Sequence, residues 1–467
     1  MSCWNLSCLV ARLFAIVLLG GTMATVAARD GDPDRGFGTL GSVVLPFPGG
    51  LSVDENYVDV KVLADGKLLV SATVNTGTAA ASDIGVMRLH ANGAIDTSFG
   101  VAGARIVGFD RAGSDNVDVV RGMAIQPDGR IVLVGDAAGG TGGIDMAVVR
   151  LLANGSLDTS FGTGGKMTVA FDLGATPARR ADQAVKAIVQ ADGRILLGGI
   201  AYTAAGAVMA VARLTSTGVL DGDFDGDGKR ILDFGGGATD LGIAYSVLAS
   251  ADGQRTYAVG MAMQGGNQNF AIARLLGNGS PDATFAGDGT ATFGFDIGGT
   301  LGDAATDAVE LADGKILLCG ASFIGGARNS DFSCVRFRAN GTVDIDFPPV
   351  LIPFDLDSDG LDQAYAMRID AQGRIVLAGL ASAGSNGLDV AVARLLPGGQ
   401  VDPSFGNDGR GNYDAAVGEG TNRGTSLALQ TDGKIVVAGS AWIDIFGASH
   451  VQVLRLIGDT LYEDGFD

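Results

Sequence analysis

Residues 127–162 read PDGRIVLVGDAAGGTGGIDMAVVRLLANGSLDTSFG, and most of this pattern occurs in six further places along the chain. Each copy begins with a turn in which a glycine follows Asp or Gln. The seven turn glycines, spaced by 59 to 64 residues, are Gly66, Gly129, Gly193, Gly253, Gly314, Gly373 and Gly433. A period of this length, filled with short apolar segments, is typical of a repeat architecture.

Two further elements recur with the same period. An Arg followed by Leu or Phe comes after each turn, at Arg88, Arg150, Arg213, Arg274, Arg336, Arg394 and Arg455. An Asp-x-x-Phe element begins at Asp34, Asp96, Asp158, Asp221, Asp282, Asp344 and Asp402. A carboxylate that accepts hydrogen bonds from Arg and from backbone N–H groups holds a loop firmly. We therefore predict a structural clamp used seven times, and we expect function to reside in residues that do not repeat.

Each repeat contains four segments with strand character, for example 166–171, 183–190, 194–201 and 209–214. Four strands in about 60 residues, without helical periodicity, predict one blade of a β-propeller. Seven repeats predict an all-β, seven-bladed β-propeller over residues 29–456. The alternative is an open β-solenoid, whose coils usually take about 20 to 30 residues. A lone copy of the joint at 34–38 predicts ring closure, which protects strand edges.

The motif Ala/Pro-Asp-Gly-Lys/Arg-Ile-Leu/Val-Leu/Val, followed by Val-x-Arg-Leu-x-x-x-Gly-x-Leu-Asp-x-x-Phe-Gly, resembles the bacterial delta-60 repeat family. The resemblance covers residues 32–456 and departs locally, since Gln372 replaces the turn Asp and Pro348 follows Phe347. It implies a propeller-like, secreted or surface-associated bacterial protein of unknown function. It supplies no catalytic residues.

The chain has 467 residues and a net charge of −20. This excess of acidic residues argues against binding of nucleic acid or anionic lipid, which needs a basic surface. Arg12, the apolar run 13–19 and the small residues 26–28 predict a signal peptide over 1–28. The run is shorter than the roughly 20 residues that span a membrane. We expect an exported monomer (secreted, periplasmic or at the cell surface) without membrane insertion, ending in an acidic tail over 457–467.

Cys319 and Cys334 remain after the predicted signal peptide is removed. Both lie on segments predicted to form a hairpin, and their midpoint falls within its loop, so the side chains should face each other. Export favours a disulfide. A pair of small, buried, apolar side chains is the alternative, and the sequence leaves both open.

The sequence shows no catalytic set. His90 and His450 are the two histidines, and they are far apart in the chain. There is neither a nucleophile elbow nor a phosphate-binding Gly-x-x-x-x-Gly-Lys motif, and no His/Cys cluster indicates zinc. We therefore predict no catalytic or cofactor-binding residues, which favours a non-enzyme and leaves the enzyme alternative open.

Two acidic clusters have the spacing of a calcium loop, in which alternate side chains converge on one cation and a glycine permits the sharp turn. Position 12 of the first cluster is Ala366 rather than an acidic residue. Acidic, glycine-rich turns are the alternative interpretation. The predicted calcium ligands are Asp355, Asp357, Asp359 and Asp362 in the first cluster, and Asp221, Asp223, Asp225 and Asp227 in the second.

Aspartates also recur where one strand ends and the next begins, at Asp110, Asp172, Asp296 and Asp355, and then at Asp118, Asp182, Asp307 and Asp362. These loops vary in length and share one rim of the propeller with the loops between the third and fourth strands. We predict that this Asp-rich rim is the working face of a scaffold that binds a surface protein or a polysaccharide. Two alternatives stay open: a carboxylate-dependent glycosidase or lyase acting at the central channel, and a structural or adhesive module of the envelope.

Overall fold

The computed structural model of the chain describes residues 28–77, 81–110, 117–139, 143–174, 181–235, 241–297, 302–325, 329–354, 356, 360–383, 387–414, 421–443 and 448–458. It contains 28 strands and, within these ranges, no helix. The predicted all-β, seven-bladed β-propeller is confirmed. The predicted signal peptide up to residue 27 and the tail from 459 lie outside the described residues.

Each blade is an antiparallel sheet that runs from an innermost strand at the central channel to an outermost strand. The first strand, β1 (Ser42–Leu45), is the outermost strand of blade 7. Blades 1 and 2 consist of β2 (Val53–Val62), β3 (Leu68–Asn75), β4 (Ser82–Leu89) and β5 (Ala104–Val107), then β6 (Asp118–Ile125), β7 (Ile131–Gly139), β8 (Gly143–Leu151) and β9 (Lys166–Val169).

The remaining blades repeat this order. Blades 3 and 4 consist of β10 (Gln183–Val189), β11 (Ile195–Tyr202), β12 (Ala207–Leu214) and β13 (Lys229–Ile231), then β14 (Gly242–Ala249), β15 (Arg255–Gln264), β16 (Asn267–Leu276) and β17 (Thr290–Phe293). Blades 5, 6 and 7 consist of β18 (Asp303–Glu310), β19 (Ile316–Phe323), β20 (Ser330–Phe337) and β21 (Val350–Ile352), then β22 (Gln363–Ile369), β23 (Ile375–Ser382), β24 (Leu388–Leu395) and β25 (Arg410–Tyr413), then β26 (Asn422–Leu429), β27 (Ile435–Trp442) and β28 (Ser449–Leu456).

The boundary between blades differs from the one predicted. The sequence grouped 166–171 with the three strands that follow it, but β9 pairs with β8 and forms the edge of the preceding blade. The period and the four strands are as predicted, yet each sequence repeat crosses from one blade to the next. The loop from β9 to β10 therefore connects two blades and leads directly to the channel.

The N-terminal segment closes the ring, as the lone copy at 34–38 predicts. Strand β1 pairs with β28, with Ser42 opposite Leu454 and Leu45 opposite Val451. Upstream of β1, the Asp34 amide donates to the carbonyl of Arg455 at 2.8 Å. Blade 7 is thus completed by the start of the chain.

Neighbouring blades pack face to face, and this packing forms the core. Seven of the eight residues of β3 are buried. Its side chains alternate between two partners, since Val70 belongs to a cluster with Val436 of blade 7 and Leu69 to one with Leu133 of blade 2. Burial on both faces explains why the middle strands read as continuous apolar runs rather than as an alternating pattern.

Cys319 on β19 lies directly opposite Cys334 on β20, and the two form a disulfide. Their Cα atoms are 4.2 Å apart, and both side chains are buried in the cluster between blades 5 and 6. Of the two interpretations that the sequence left open, the structure has the disulfide.

Replacing both cysteines with alanine is expected to lower the free energy of unfolding. The bridge joins residues 15 apart, and closing a loop of this length in the unfolded chain stabilises by about 3 kcal/mol. Denaturant titrations with and without reductant measure the effect, because reductant should destabilise the wild type and leave the double variant unchanged. Equal stability of the two proteins without reductant would contradict the prediction.

Candidate functional site

The repeated Arg and Asp form the predicted clamp in all seven blades. The Arg Nε donates to Oδ2 of the Asp-x-x-Phe carboxylate in six clamps, and in the seventh Arg274 forms an ion pair with Asp282 without this hydrogen bond. In all seven the same guanidinium lies over the Phe ring, 4.6 to 4.9 Å from its centroid. The Nε–Oδ2 distances are 2.8 Å for Arg88–Asp96, Arg150–Asp158, Arg336–Asp344 and Arg455–Asp34, 2.6 Å for Arg213–Asp221, 2.9 Å for Arg274–Asp282 and 2.7 Å for Arg394–Asp402.

The clamp also links adjacent blades. In six of the seven clamps the guanidinium donates a further hydrogen bond to a backbone carbonyl in the next blade, for example from Arg150 to Ser216. The prediction that these residues are structural is confirmed, and their carboxylates are occupied by the fold.

Part of the Asp pattern on the variable rim is also structural. At the start of four innermost strands, a carboxylate Oδ2 accepts a hydrogen bond from the backbone N–H of a Phe in the preceding loop. All four aspartates are at most 2% exposed, so one carboxylate oxygen of each serves the fold. The donor–acceptor pairs are Phe109–Asp118 at 2.5 Å, Phe171–Asp182 at 2.6 Å, Phe295–Asp303 at 2.8 Å and Phe354–Asp362 at 2.7 Å.

The sequence placed Asp307 in this series, and that assignment was wrong. Asp303 begins β18 and accepts the Phe295 bond, whereas Asp307 lies further along the strand, beside the channel. Two aspartates four residues apart on the same strand made the two positions hard to separate by sequence alone.

The rim and clamp carboxylates are expected to respond to pH in opposite directions. Burial raises the pKa of Asp118 to about 6, and repulsion from Asp83 and Asp110 raises it further. The hydrogen bond from the Phe109 amide acts in the opposite direction but is outweighed. Folding therefore favours protonated Asp118, so its contribution is present below about pH 4 and is lost as the pH rises through 6. The pKa of Asp158 is about 2, because hydrogen bonds from Ser160 and the charge of Arg150 outweigh burial.

We expect Asp118→Asn to increase the free energy of unfolding at about pH 8 by up to roughly 2–3 kcal/mol, with little change at about pH 4. The asparagine oxygen can still accept the Phe109 bond. Asp158→Asn should instead destabilise the protein at about pH 8, and the difference should vanish as the pH falls toward 2. Urea unfolding of both variants across this range tests the signs. The same pH dependence in both variants would contradict the assignment.

The two predicted calcium clusters differ in how much of them is described. Of the first, Asp355, Asp357 and Asp359 lie outside the described residues, and Asp362 is the buried aspartate that holds Phe354. Calcium binding there stays a prediction.

In the second cluster the carboxylates have separate partners. Asp221 is bound by Arg213 at 2.6 Å, Asp225 by Arg230 at 2.9 Å, and Asp227 accepts the Lys229 amide at 2.9 Å. Asp223 is 83% exposed. Within the described ranges no group of three or more His, Cys, Asp or Glu side chains is arranged to hold a metal ion.

The central channel is lined by residues that the sequence does not repeat. In blades 2 to 7 the innermost strand carries a β-bulge. A bulge leaves one residue out of the ladder and redirects its side chain. In blade 1 the pairing of β2 with β3 is interrupted between Val53 and Val58, and Tyr57 lies in this interval. The bulged residues of blades 2 to 7 all line the channel cavity, and they are Arg121, Val185, Tyr245, Thr306, Tyr365 and Thr425.

The cavity has a volume of about 330 Å³. Its lining comes from the innermost strands, including the bulged residues near their beginnings, and from Phe323 at the end of β19, so it opens toward the variable rim. Three tyrosines, Tyr57, Tyr245 and Tyr365, stand in this mouth. Burial and the neighbouring tyrosines raise the pKa of Tyr245 to about 12, so its hydroxyl is neutral at physiological pH.

One carboxylate, Asp59, lines the cavity, a second, Asp307, lies beside it, and both are paired. Asp59 accepts from Lys61 at 2.7 Å and from Ser426 at 2.6 Å. Asp307 accepts from Arg368 at 3.0 Å and from Ser246 at 2.9 Å.

Although burial acts to raise their pKa values, the adjacent cations and hydroxyls outweigh it and lower the pKa of both carboxyls. Acid–base glycoside hydrolysis needs a carboxylic acid with a raised pKa. Neither channel carboxylate meets that need, which weakens the glycosidase alternative.

Sequence reasoning missed the channel residues, although a signal exists. Six of them lie eight positions before the turn glycine, as Arg121 lies before Gly129 and Tyr365 before Gly373. This position holds four residue types in six repeats, while the residues around it are mostly small or apolar. A position that lies at a constant distance from the turn glycine, but whose residue changes in size and polarity between repeats, was the signal for these channel residues.

Seven segments of the chain match the family described as "Domain of unknown function (DUF5122) beta-propeller", and together they cover just over half of its length. The chain belongs to this family. The matched segments are residues 63–99, 126–161, 190–224, 255–285, 311–347, 372–405 and 430–457. Membership of a propeller repeat family agrees with the predicted architecture and assigns no activity. The resemblance to delta-60 repeats stays an interpretation of the motif.

Solved propeller structures are similar to this fold at low sequence identity. A polysaccharide lyase of family PL25, an ulvan lyase, is 12% identical with a TM-score of 0.39, over 87% of this chain and 94% of that one. An α-L-arabinanase of Penicillium chrysogenum is 10% identical with a TM-score of 0.42, over 89% and 98%. Sqt1 of Chaetomium thermophilum is 14% identical with a TM-score of 0.40, over 89% and 90%.

Such similarity concerns the fold alone and carries no information on activity or ligand. No curated protein matches the chain at a significant level. No helix of the described part of the chain is long and apolar enough to cross a membrane.

Proposed function

We propose that this protein is a secreted or surface-associated binding scaffold whose ligand site is the mouth of the central channel. The observation that supports this most directly is the set of channel residues. The fold provides a similar position in every blade, and the sequence fills it with tyrosines, an arginine, threonines and a valine. Repeated residues serve the fold, so varied residues that converge on one cavity are the best candidates for recognition.

The channel favours binding over catalysis. Its two carboxylates, Asp59 and Asp307, are both held in ion pairs. The cavity lies at the lower end of the range of about 300–1,000 Å³ that is typical of small-molecule sites. A site of this size suits a small ligand, a protruding side chain of a surface protein or the end of a polysaccharide.

Array binding with three matched variants tests the location of the site. The purified protein is presented with soluble glycans, peptides and metabolites, beside Tyr245→Ala in the channel mouth, Asp110→Asn on the variable rim and Ile345→Ala on the opposite rim. Asp110 has a φ of 47° that asparagine tolerates, and Ile345 is 77% exposed. We expect Tyr245→Ala alone to lose the bound ligands. Loss with Asp110→Asn instead would return the working face to the Asp-rich rim, and no ligand at all would favour the adhesive module.

We also propose calcium at the first acidic cluster, as its spacing predicts. A ligand at 100 times its dissociation constant stabilises by about 2.7 kcal/mol, so excess calcium should raise Tm relative to excess chelator. Asp357→Ala should abolish the rise and Asp346→Ala, with its exposed carboxylate outside both clusters, should retain it. Equal Tm in calcium and chelator would rule out calcium binding at useful affinity.

A further inference from the structure

The cavity differs from the rest of the molecule in charge. The whole chain carries −20, but the cavity lining contains one carboxylate, Asp59, and four cationic side chains. The cations come from four different blades and are Arg121, Lys186, Arg368 and Arg423. An acidic protein thus has a cationic cavity in its central channel.

Two of these cations share a single carboxylate. Asp307 is 3.0 Å from Arg368 and 3.5 Å from Lys186, and it also accepts bonds from Ser246 and from the Met367 amide at 3.2 Å. Its lone pairs are therefore largely used, and the Lys186 contact is the longest. Lys186 and Arg368 are 26% and 32% exposed, so both reach the cavity.

Nearby carboxylates offset part of this positive charge, but Lys186 and Arg368 share one of them, Asp307. Asp59 forms an ion pair with Lys61 at 2.7 Å. Arg121 forms an ion pair with Asp136 at 2.5 Å, and Asp54 attracts Arg121 from a greater distance. Burial lowers the pKa of Lys61, and repulsion from Lys186 and Arg368 lowers it further, despite Asp59. Three cations therefore repel one another here, and an added anion would relieve that repulsion.

Aromatic rings complete the surface. Tyr57, Tyr245, Tyr365 and Phe323 line the same mouth, and Arg121 lies over the Tyr57 ring at 4.4 Å. Tyrosine supplies a flat apolar face together with a hydroxyl that can donate. The flat faces suit the C–H face of a sugar ring, and the hydroxyls suit its OH groups.

Building on the proposed binding role of the channel mouth, we infer that its ligand is the uronate end of an acidic saccharide. The carboxylate is recognised by Lys186 and Arg368, and the ring packs against the tyrosines. Charge-assisted hydrogen bonds from a cation to a carboxylate are stronger than neutral ones. The cavity of about 330 Å³ holds one or two sugar rings.

Titration calorimetry with matched ligands tests this inference. The probes are disaccharides and trisaccharides of galacturonate, glucuronate, mannuronate and guluronate, each beside its carboxyl-reduced neutral counterpart. We expect at least one uronate to bind about tenfold or more tighter than its neutral form, and its affinity to fall as salt is added.

Lys186→Met should weaken uronate binding about tenfold and leave the neutral sugar unchanged. Lys67→Met is the matched control, because Lys67 is 29% exposed and also shares an aspartate, Asp96, with an arginine. It should bind uronate like the wild type.

Each outcome decides between the two proposals. Equal binding of acidic and neutral sugars, or an unchanged affinity in Lys186→Met, would overturn the uronate assignment. If Tyr245→Ala still abolishes binding of those sugars or of another ligand, the channel mouth stands as the site. If no uronate binds the wild type, the assignment fails whatever the array result.

Discussion

Replacing Arg394 with methionine is expected to lower the free energy of unfolding by about 3–5 kcal/mol, because the buried Asp402 loses its cation and the buried Asp30 keeps Arg374 at the longer distance of 3.8 Å. Arg394 is fully buried, with Nε 2.7 Å from Asp402 and Nη2 2.8 Å from Asp30. It also donates to the carbonyl of Gly458 at 2.5 Å. This one guanidinium therefore joins blade 6 to both ends of the described chain. Chemical denaturation of the two proteins at neutral pH measures the loss.

Arg88→Met provides the matched control, since it removes the same side chain from the same place in another blade. Arg88 is 14% exposed and bonds to one carboxylate, Asp96, which keeps Lys67 at 3.2 Å. A loss of roughly 1–2 kcal/mol is expected there. Equal losses of unfolding free energy in the two variants would mean that the junction that closes the ring depends on its clamp no more than the other blade junctions do. Adding Asp402→Asn to Arg394→Met should recover part of the stability, because it removes one unpaired charge.

The success of the sequence in predicting these clamps has a physical cause. An arginine and an aspartate that recur in every repeat, such as Arg394 and Asp402, must meet the same geometry seven times, so their contact follows from the period. Ring closure followed in the same way from a lone copy of the joint at 34–38. Where one blade ends was not predictable, because the outermost strand is joined by a loop to the next blade and sequence order does not show which neighbour it pairs with.

The channel site could not be derived in this way. Its contacts join residues that are far apart in sequence: Lys186 meets Asp307 across 121 positions. Neither residue belongs to the repeated pattern, and both come together only because the innermost strands converge on one axis. The acidic loops on the rim were easier to see in the sequence, but the structure assigns three of the eight aspartates in that pattern to hydrogen bonds with Phe109 and its equivalents. The repeated residues indicate the architecture, and the candidate site is formed by residues of the innermost strands that do not repeat.

Removing the N-terminal segment is expected to have the largest effect of all. A chain that begins at Leu51 lacks β1, so blade 7 loses its outermost strand and β28 becomes an unprotected edge. It also loses Phe37 and Phe47, which are fully buried, and each buried Phe is worth about 3–5 kcal/mol. We therefore expect this chain to show no cooperative unfolding transition by near-ultraviolet circular dichroism and calorimetry, whereas the chain that begins at Arg29 shows one.

A synthetic peptide of residues 29–50, added in trans, should restore the transition. The peptide carries the β1 ladder, Asp34 for Arg455 and Asp30 for Arg394, so it supplies every contact that the truncation removes from this junction. A control peptide with Phe37→Ala and Phe47→Ala keeps the backbone ladder and both carboxylates, and should bind at least about a hundredfold more weakly. Cooperative unfolding of the truncated chain alone, at an unchanged Tm, would show that six complete blades and an open edge suffice. Equal rescue by both peptides would show that the ladder, rather than the buried rings, closes the propeller.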